Sequence, residues 1–137
     1  MNRALIILLL VMVVSVAAWA YKTVKNDGFE TVDVDTFERM IAAPDSIQLL
    51  DVRTEDEYEE GHLPGATLIN MQDPTFLSKV DNQLVKEKPI AVYCRSGRRS
   101  ANAAAKLVKA GYKVINLDGG IIAWQQQGKL IFPNRDN

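Results

Sequence analysis

The sequence has very few of the side chains from which disulfides and metal sites are built. Among its 137 residues there is one cysteine, Cys94, and one histidine, His62. A single cysteine excludes an internal disulfide and any Cys-x-x-Cys redox or zinc motif. One histidine beside it argues against a structural metal site as well. We therefore expect a fold held together by its apolar core, with no metal and no cofactor.

A surplus of either charge is also absent. Sixteen Lys and Arg residues stand against seventeen Asp and Glu residues, which gives a formal net charge of −1. Because nucleic-acid binding depends on a basic surplus, we expect no nucleic-acid partner. The length and a hydrophobic content of 47% allow one domain with a real core and no second one.

The longest apolar run lies at the N-terminus, in residues 1–20. After Arg3 the run is uncharged, and Ala18-Trp19-Ala20 places small residues where a signal peptidase cuts. The span from Ala4 to Tyr21 is also near the minimum length of a membrane helix. A cleaved signal peptide and a retained membrane anchor both fit, and the absence of a polar face argues against a buried core helix. We expect a cell-envelope protein, periplasmic or anchored with its domain on the extracytoplasmic side, with residues 21–28 as a tether.

Beyond the tether, apolar stretches of strand length alternate with helical patterns. The predicted strands are 29–32, 47–52, 66–70, 89–93 and 113–117, and the predicted helices lie at about 33–41, 54–60, 73–80, 101–110 and 121–127. This alternation predicts an α/β fold with a central parallel sheet of about five strands flanked by helices. The domain is expected to cover residues 29–130, followed by a C-terminal tail at 131–137.

Helix starts are marked by residues that can accept hydrogen bonds from free backbone N–H groups. Asp33 or Asp35 can cap the first helix. Thr54 with Glu57 forms a capping-box pattern for the second, and Pro74 is expected in the first turn of the third.

The single cysteine lies where a strand gives way to a helix, in the segment 94–100, Cys-Arg-Ser-Gly-Arg-Arg-Ser. Free N–H groups and the positive end of the helix dipole favour a thiolate there and lower the thiol pKa. Gly97 allows several amides to converge on one point. Three arginines add positive charge that no carboxylate in the loop cancels. The alternative is an ordinary cysteine buried in the core. The residues of this loop are polar and charged and would not pack in a core, so the pattern indicates a nucleophilic thiolate in an anion-binding cradle.

Other polar residues follow neighbouring strands. Asp51-Val52-Arg53 ends one strand, and Asp118-Gly119-Gly120 follows the last. In parallel sheets ligands bind outside the carboxyl ends of the strands, so both segments can meet Cys94 at one edge. Asp51 and Arg53 are expected to brace this edge, and the second of them to pair with Glu55, Glu57 or another nearby acid.

These segments together resemble the single-domain rhodanese-like (thiosulfate sulfurtransferase) family. The resemblance covers residues 29 to 130 and is carried by four ordered motifs: 51–53 (Asp-Val-Arg), 57–66 (Glu-Tyr-Glu-Glu-Gly-His-Leu-Pro-Gly-Ala), 94–100, and 111–114 leading to 117–120 and Trp124. In this family pattern the segment around His62 is chiefly a structural turn, although a histidine there could also serve as a general base.

The resemblance implies a sulfurtransferase with thiosulfate as its usual test donor. Thiolate attack by Cys94 on sulfane sulfur would leave a persulfide, which passes sulfur to cyanide or a thiol. The acceptor must be external, because the chain has no second cysteine. The substrate-binding residues would be the rest of the loop: Arg95, Ser96, Gly97, Arg98, Arg99 and Ser100.

Individual roles can be assigned within this loop. Arg95 is expected to hold the sulfonate end of the donor. Arg98 and Arg99 cannot both point inward, so one is expected to face substrate and the other solvent or a helix-side carboxylate. Ser100 is expected to cap the helix and to donate to the bound anion.

Two other functions are compatible with such a domain. Cell-cycle phosphatases share the fold but use Cys-x5-Arg, and six positions beyond Cys94 stands Ser100, with Arg99 one position short. The loop length therefore argues against a phosphatase. A non-catalytic, membrane-held persulfide carrier or partner-binding module remains as the alternative to a sulfurtransferase.

Overall fold

Strands and helices alternate throughout the residues that the computed structural model describes, 28–133. Their bounds are β1 Glu30–Val32, α1 Val34–Ile41, β2 Gln48–Asp51, α2 Glu55–Glu60, β3 Thr67–Leu68, α3 Phe76–Gln83, β4 Ile90–Tyr93, α4 Arg98–Lys109, β5 Val114–Leu117 and α5 Gly120–Gln126. The predicted leader at 1–20 and most of the tether lie outside the described residues. Within residues 28–133, no helix combines the length and the apolar character needed to cross a bilayer.

The five strands form one sheet in the order β1-β5-β4-β2-β3. Every neighbouring pair is parallel. This confirms the predicted α/β architecture. All four residues of β4 are buried, as expected for a central strand covered by helices on both faces. The loop that follows β4 therefore starts at the middle of the sheet.

The pleat of β4 divides the core in two. Ile90, Val92 and Cys94 pack on one face, in the cluster that contains Val80 of α3 and Leu107 of α4. Ala91 and Tyr93 face the opposite cluster, which contains Phe37 of α1 and Trp124 of α5. Since successive side chains of a strand point to opposite faces, Cys94 continues the alternation of β4 and is directed to the α4 side.

Two helices begin as their capping residues predict. The Asp33 side chain accepts a hydrogen bond from Thr36 N, at 2.8 Å, so Asp33 is the cap of α1. Thr54 and Glu57 form the complete capping box of α2, which ends at Gly61. These signals are local in sequence, which is why they predict the structure well.

Two other helices and one strand differ from the prediction. Helix α3 begins at Phe76 and not at residue 73, because the Asp73 carboxylate accepts a hydrogen bond from Thr75 N at 2.8 Å and holds a turn around Pro74. Helix α4 begins at Arg98, three residues before the predicted start. Strand β3 has only two residues, although N–H groups beyond it still bond to the end of β2.

Contacts with the domain continue past residue 130. Phe132 and His62 exchange two backbone hydrogen bonds, at 2.7 and 2.8 Å, as an isolated antiparallel bridge. Ile131 packs against the α5 side of the core. The chain is therefore part of the folded structure at least as far as Phe132.

Candidate active site

The sulfur of Cys94 lies at the floor of the loop between β4 and α4. The residue is 1% exposed, and its Sγ accepts a hydrogen bond from Gly97 N at 3.1 Å. Gly97 has a φ of 100° and is the N-terminal cap of α4. This left-handed conformation suits glycine, and it lets α4 begin directly after the loop whose Gly97 amide bonds to the sulfur. Cys94 is thus buried like a small apolar residue, yet it is hydrogen-bonded like an anion.

Two opposing effects act on the thiol. Burial raises the pKa of Cys94, while nearby donors lower it, namely the hydroxyl and N–H groups of Ser100 and the N–H groups of Gly97 and Ser96. The donors outweigh the burial, so the pKa lies below its ordinary value. The surroundings therefore favour the thiolate, which is the reactive form.

Ser100 does not cap α4, contrary to the prediction. The cap is Gly97, and Ser100 is the third residue of the helix because the left-handed glycine starts the helix early. Its hydroxyl lies close enough to Cys94 to contribute to the lowered thiol pKa. The geometry nevertheless completes no hydrogen bond, and Ser100 Oγ is a fully buried polar atom without a partner. This hydroxyl is therefore a buried donor beside Cys94 whose hydrogen-bonding capacity is unused among the described residues.

The three arginines of the loop have different surroundings. Arg95 and Arg98 are exposed, and neither forms an ion pair within residues 28–133. Arg99 binds Glu57 through two hydrogen bonds of 2.7 Å each. This pair, together with the hydrogen bonds from Thr54, lowers the pKa of Glu57 to about 2. Arg99 is thus the arginine that faces a helix-side carboxylate, and a carboxylate from outside the loop neutralises it.

Asp51 and Arg53 form a buried network beneath the loop. Arg53 binds both carboxylate oxygens of Asp51, with Nη2 at 2.7 Å from Oδ2, and donates to Gly61 O at 2.7 Å. The Tyr93 hydroxyl donates to Asp51 at 2.6 Å and accepts from Leu63 N at 3.0 Å. Burial opposes the charge of Arg53, but the hydrogen bonds that Arg53 donates to Asp51 outweigh it and raise the pKa of Arg53.

The partner of Arg53 is Asp51, and neither Glu55 nor Glu57 takes that place. Residues two apart along an extended chain share a face, so the sequence contains the signal for this pair. Tyr93 was not among the predicted site residues. It lies beside Asp51 in the register of β2 and β4, and only the strand pairing reveals this. The network braces the edge without a hydrogen bond to Cys94 among the described residues.

The segment that follows β5, from Asp118 into the first turn of α5, lies behind the loop. Ile121 N donates to Cys94 O at 2.9 Å, and Ile122 N donates to Arg95 O at 3.2 Å. A Cβ atom placed on Gly120 would lie 2.4 Å from Arg95 O and 2.5 Å from Cys94 O. The sequence predicts that this segment can meet Cys94 at one edge of the sheet, but nothing in it indicates such close backbone contact.

Comparison with known proteins agrees with this geometry. The family model for the rhodanese-like domain matches residues 33–127. This chain belongs to the rhodanese-like domain family. It is 36% identical over 99 residues to a protein named Sulfurtransferase from Allochromatium vinosum, covering 71% of this chain and 89% of that protein. It is also 36% identical over 107 residues to Thiosulfate sulfurtransferase 18 of Arabidopsis thaliana, covering 69% and 79%.

A solved structure supports the same family. The crystal structure of a rhodanese-like domain protein from Staphylococcus aureus superposes with a TM-score of 0.62 at 29% identity, covering 70% of this chain and 91% of that chain. In the rhodanese-like domain described here, His62 has a structural place. Its Nδ1 lies 2.8 Å from Tyr58 O, and its ring stacks on the Tyr58 ring at a centroid distance of 3.6 Å. These contacts fit the structural turn that the family pattern implies for this segment.

Proposed function

We propose that this rhodanese-like domain is a sulfurtransferase that works through a persulfide on Cys94. The thiolate attacks the outer sulfur of a thiosulfate-like donor, a new S–S bond forms at Sγ, and the S–S bond of the donor breaks. Sulfite leaves with the bonding electron pair. A thiophilic acceptor such as cyanide then attacks the outer sulfur of the persulfide, which yields thiocyanate and regenerates the thiolate.

The observation that carries this proposal is the hydrogen bond from Gly97 N to Cys94 Sγ, at 3.1 Å. An amide that donates to sulfur stabilises a thiolate and equally a terminal persulfide anion, because both carry their charge on sulfur. The buried hydroxyl of Ser100, which has no partner, adds a second donor at the same place. A cysteine that served only to pack the core would need neither group.

Arg95 and Arg98 are the groups best placed to bind the negative end of the donor. Both are exposed and have no ion-pair partner among the described residues, whereas Arg99 is engaged by Glu57. Guanidinium groups suit planar contact with oxyanions, and two of them match the charge of a dianionic donor. The names of the two relatives, both sulfurtransferases, support sulfur transfer in general.

The burial of Cys94 affects which sulfur atom an acceptor can reach. With Cys94 1% exposed, an acceptor has little access to Sγ itself. A persulfide places its outer sulfur about 2 Å beyond Sγ, because that is the length of an S–S bond. The transferred atom is therefore the more accessible of the two. No second cysteine can take it up within the chain, so the acceptor comes from outside.

Intact mass spectrometry after incubation with thiosulfate tests the proposal directly. The expected result is a gain of one sulfur atom in the wild type, which is removed by cyanide with release of thiocyanate. Cys94→Ser, shown by circular dichroism to be folded, should gain nothing and produce no thiocyanate. Sulfur loading without turnover would instead indicate a persulfide carrier, and no loading at all would contradict the proposal.

A further inference from the structure

The backbone of the Cys94 loop is held from behind by the first turn of α5. Carbonyl groups of consecutive loop peptides, Cys94 O and Arg95 O, accept hydrogen bonds from Ile121 N and Ile122 N at 2.9 and 3.2 Å. N–H groups in the first turn of a helix have no partner inside the helix, so α5 gives up no internal hydrogen bond to make these contacts.

The direction of these two carbonyls fixes the direction of two amides. In a planar trans peptide the C=O and the N–H point to opposite sides. Arg95 O and Ser96 N belong to one peptide, and Cys94 O and Arg95 N belong to the one before it. Because α5 holds both carbonyls, both amides point away from α5. The Ser96 amide is one of the groups that lower the pKa of the thiol.

Such close approach requires a residue without a side chain at the start of α5. Gly120 has a φ of 59°, and a Cβ atom there would lie 2.4–2.5 Å from backbone atoms of Cys94 and Arg95. Real Cβ contacts are never this short, and backbone atoms cannot turn aside as a flexible side chain can. A side chain at position 120 would therefore push the loop and α5 apart.

We propose that Gly120 is a positioning residue for the reactive sulfur: it lets the amides of α5 hold the loop carbonyls, and this aims the Ser96 amide at Cys94. The inference rests on the proposed function, because aiming amides at Sγ serves a purpose only if the sulfur reacts. Gly120 has no side chain to offer to the donor or to Sγ, so it acts through the loop peptides.

The test compares Gly120→Ala with Gly128→Ala. Both glycines have positive φ, 59° and 71°, so both substitutions introduce the same kind of backbone strain. At Gly128 no atom lies within 4 Å of an added Cβ, so that variant is the matched control. The readout is the pH dependence of Cys94 alkylation by iodoacetamide, which follows the thiolate and does not depend on any sulfur donor.

Gly120→Ala should raise the alkylation midpoint by on the order of one pH unit and slow alkylation about tenfold below that midpoint. Gly128→Ala should alkylate like the wild type, although its thermal unfolding midpoint falls. Equal alkylation profiles in Gly120→Ala and the wild type, with Gly120→Ala folded, would overturn the inference. If the wild type forms no thiocyanate but the two glycine variants still differ in this way, the proposed function fails and the positioning role stands.

If Gly120→Ala does not fold, a second pair of variants tests the inference. Ile122→Pro removes the N–H that holds Arg95 O, and proline is tolerated in the first turn of a helix. Ile122→Ala removes the same side chain but keeps the N–H. Only Ile122→Pro should raise the alkylation midpoint. In the wild type, hydrogen exchange gives a measurement without any variant: the Ile121 and Ile122 amides should be protected, and rapid exchange of both would contradict the inference.

Discussion

At the scale of single residues, the three arginines of the Cys94 loop differ in whether a carboxylate already binds them. Arg99 is held by Glu57 in two hydrogen bonds, whereas Arg95 and Arg98 have no carboxylate partner among residues 28–133. A guanidinium that is already paired has little electrostatic attraction left for an anion, because its charge is largely balanced. The two unpaired arginines should therefore account for most of the donor binding.

Replacing Arg95 or Arg98 by glutamine should raise the KM for thiosulfate on the order of tenfold, with a smaller effect on kcat, because a charged contact to the donor is lost. Steady-state formation of thiocyanate measures both constants. Arg39→Gln is the control, since Arg39 is an exposed arginine of α1 whose guanidinium bonds to Thr36. Unchanged KM values in both loop variants would contradict the assignment.

Replacing Ser100 should change the reactivity of the Cys94 thiol without lowering the stability of the fold. Its Oγ is buried without a partner, so Ser100→Ala removes a polar group that costs free energy to bury, and the stability should be unchanged or slightly higher. The same change removes a donor near Sγ and should raise the pKa of Cys94. Thermal unfolding and alkylation measure the two effects. Ser96→Ala, which keeps its backbone N–H, should leave both unchanged.

At the scale of elements, the Glu57–Arg99 pair joins the start of α2 to the start of α4. The pKa of Glu57 is lowered from 4.5 to about 2, first by the hydrogen bonds of Arg99. A carboxyl whose pKa is lower in the folded state stabilises the fold at pH values above its unfolded pKa. The pair should therefore contribute fully above about pH 4.5 and lose its contribution as the pH falls towards 2.

Glu57→Gln should consequently lower the free energy of unfolding by about 1 kcal/mol at neutral pH and by progressively less below pH 4.5. Urea unfolding of the wild type and the variant between pH 2.5 and 7 measures this difference. Glu59→Gln, on the same helix but exposed and without an ion pair among the described residues, should show no such dependence. A difference that is constant over this range would argue against the pair.

The parts of the fold that the sequence predicts are those set by interactions between neighbours along the chain. The apolar strands and the Thr54–Glu57 capping box are set by neighbours along the chain, and they were predicted correctly. The start of α4 was missed because it depends on the left-handed conformation of Gly97, which the sequence permits but does not require. The Glu57–Arg99 pair joins residues 42 positions apart, so only the packing of two helices reveals it.

At the scale of the whole molecule, the buried network ties separate parts of the chain together. Asp51 lies at the end of β2, Tyr93 at the end of β4, and Leu63 in the connection that follows α2. The Tyr93 hydroxyl bonds to both of the others within a buried region. Such a network stabilises the fold only while every member keeps its partner.

Tyr93→Phe should lower the free energy of unfolding by about 1–3 kcal/mol, because it leaves the Leu63 amide without its acceptor and removes one donor from Asp51. Urea unfolding gives the value, and the m-value should stay unchanged. Tyr112→Phe is the control, since that hydroxyl bonds to the exposed Asp81, and its loss should cost less. Equal costs in the two variants would contradict a special role for the Tyr93 network.

The location of the protein stays a prediction from residues 1–20. We expect fractionation of host cells to place the chain in the cell envelope. Intact mass then separates a periplasmic protein that has lost its signal peptide from an anchored protein of full length. A full-length chain found only in the cytosolic fraction would contradict both forms of the prediction.

The position of the Cys94 loop has a consequence during synthesis of the protein on the ribosome. The loop follows the central strand β4, and its carbonyls are held by α5, which is the last helix that the structure describes. A nascent chain in which α5 is still inside the ribosome has no α5 to hold the loop. Its cysteine should then behave as an ordinary thiol until α5 has emerged and packed against the loop.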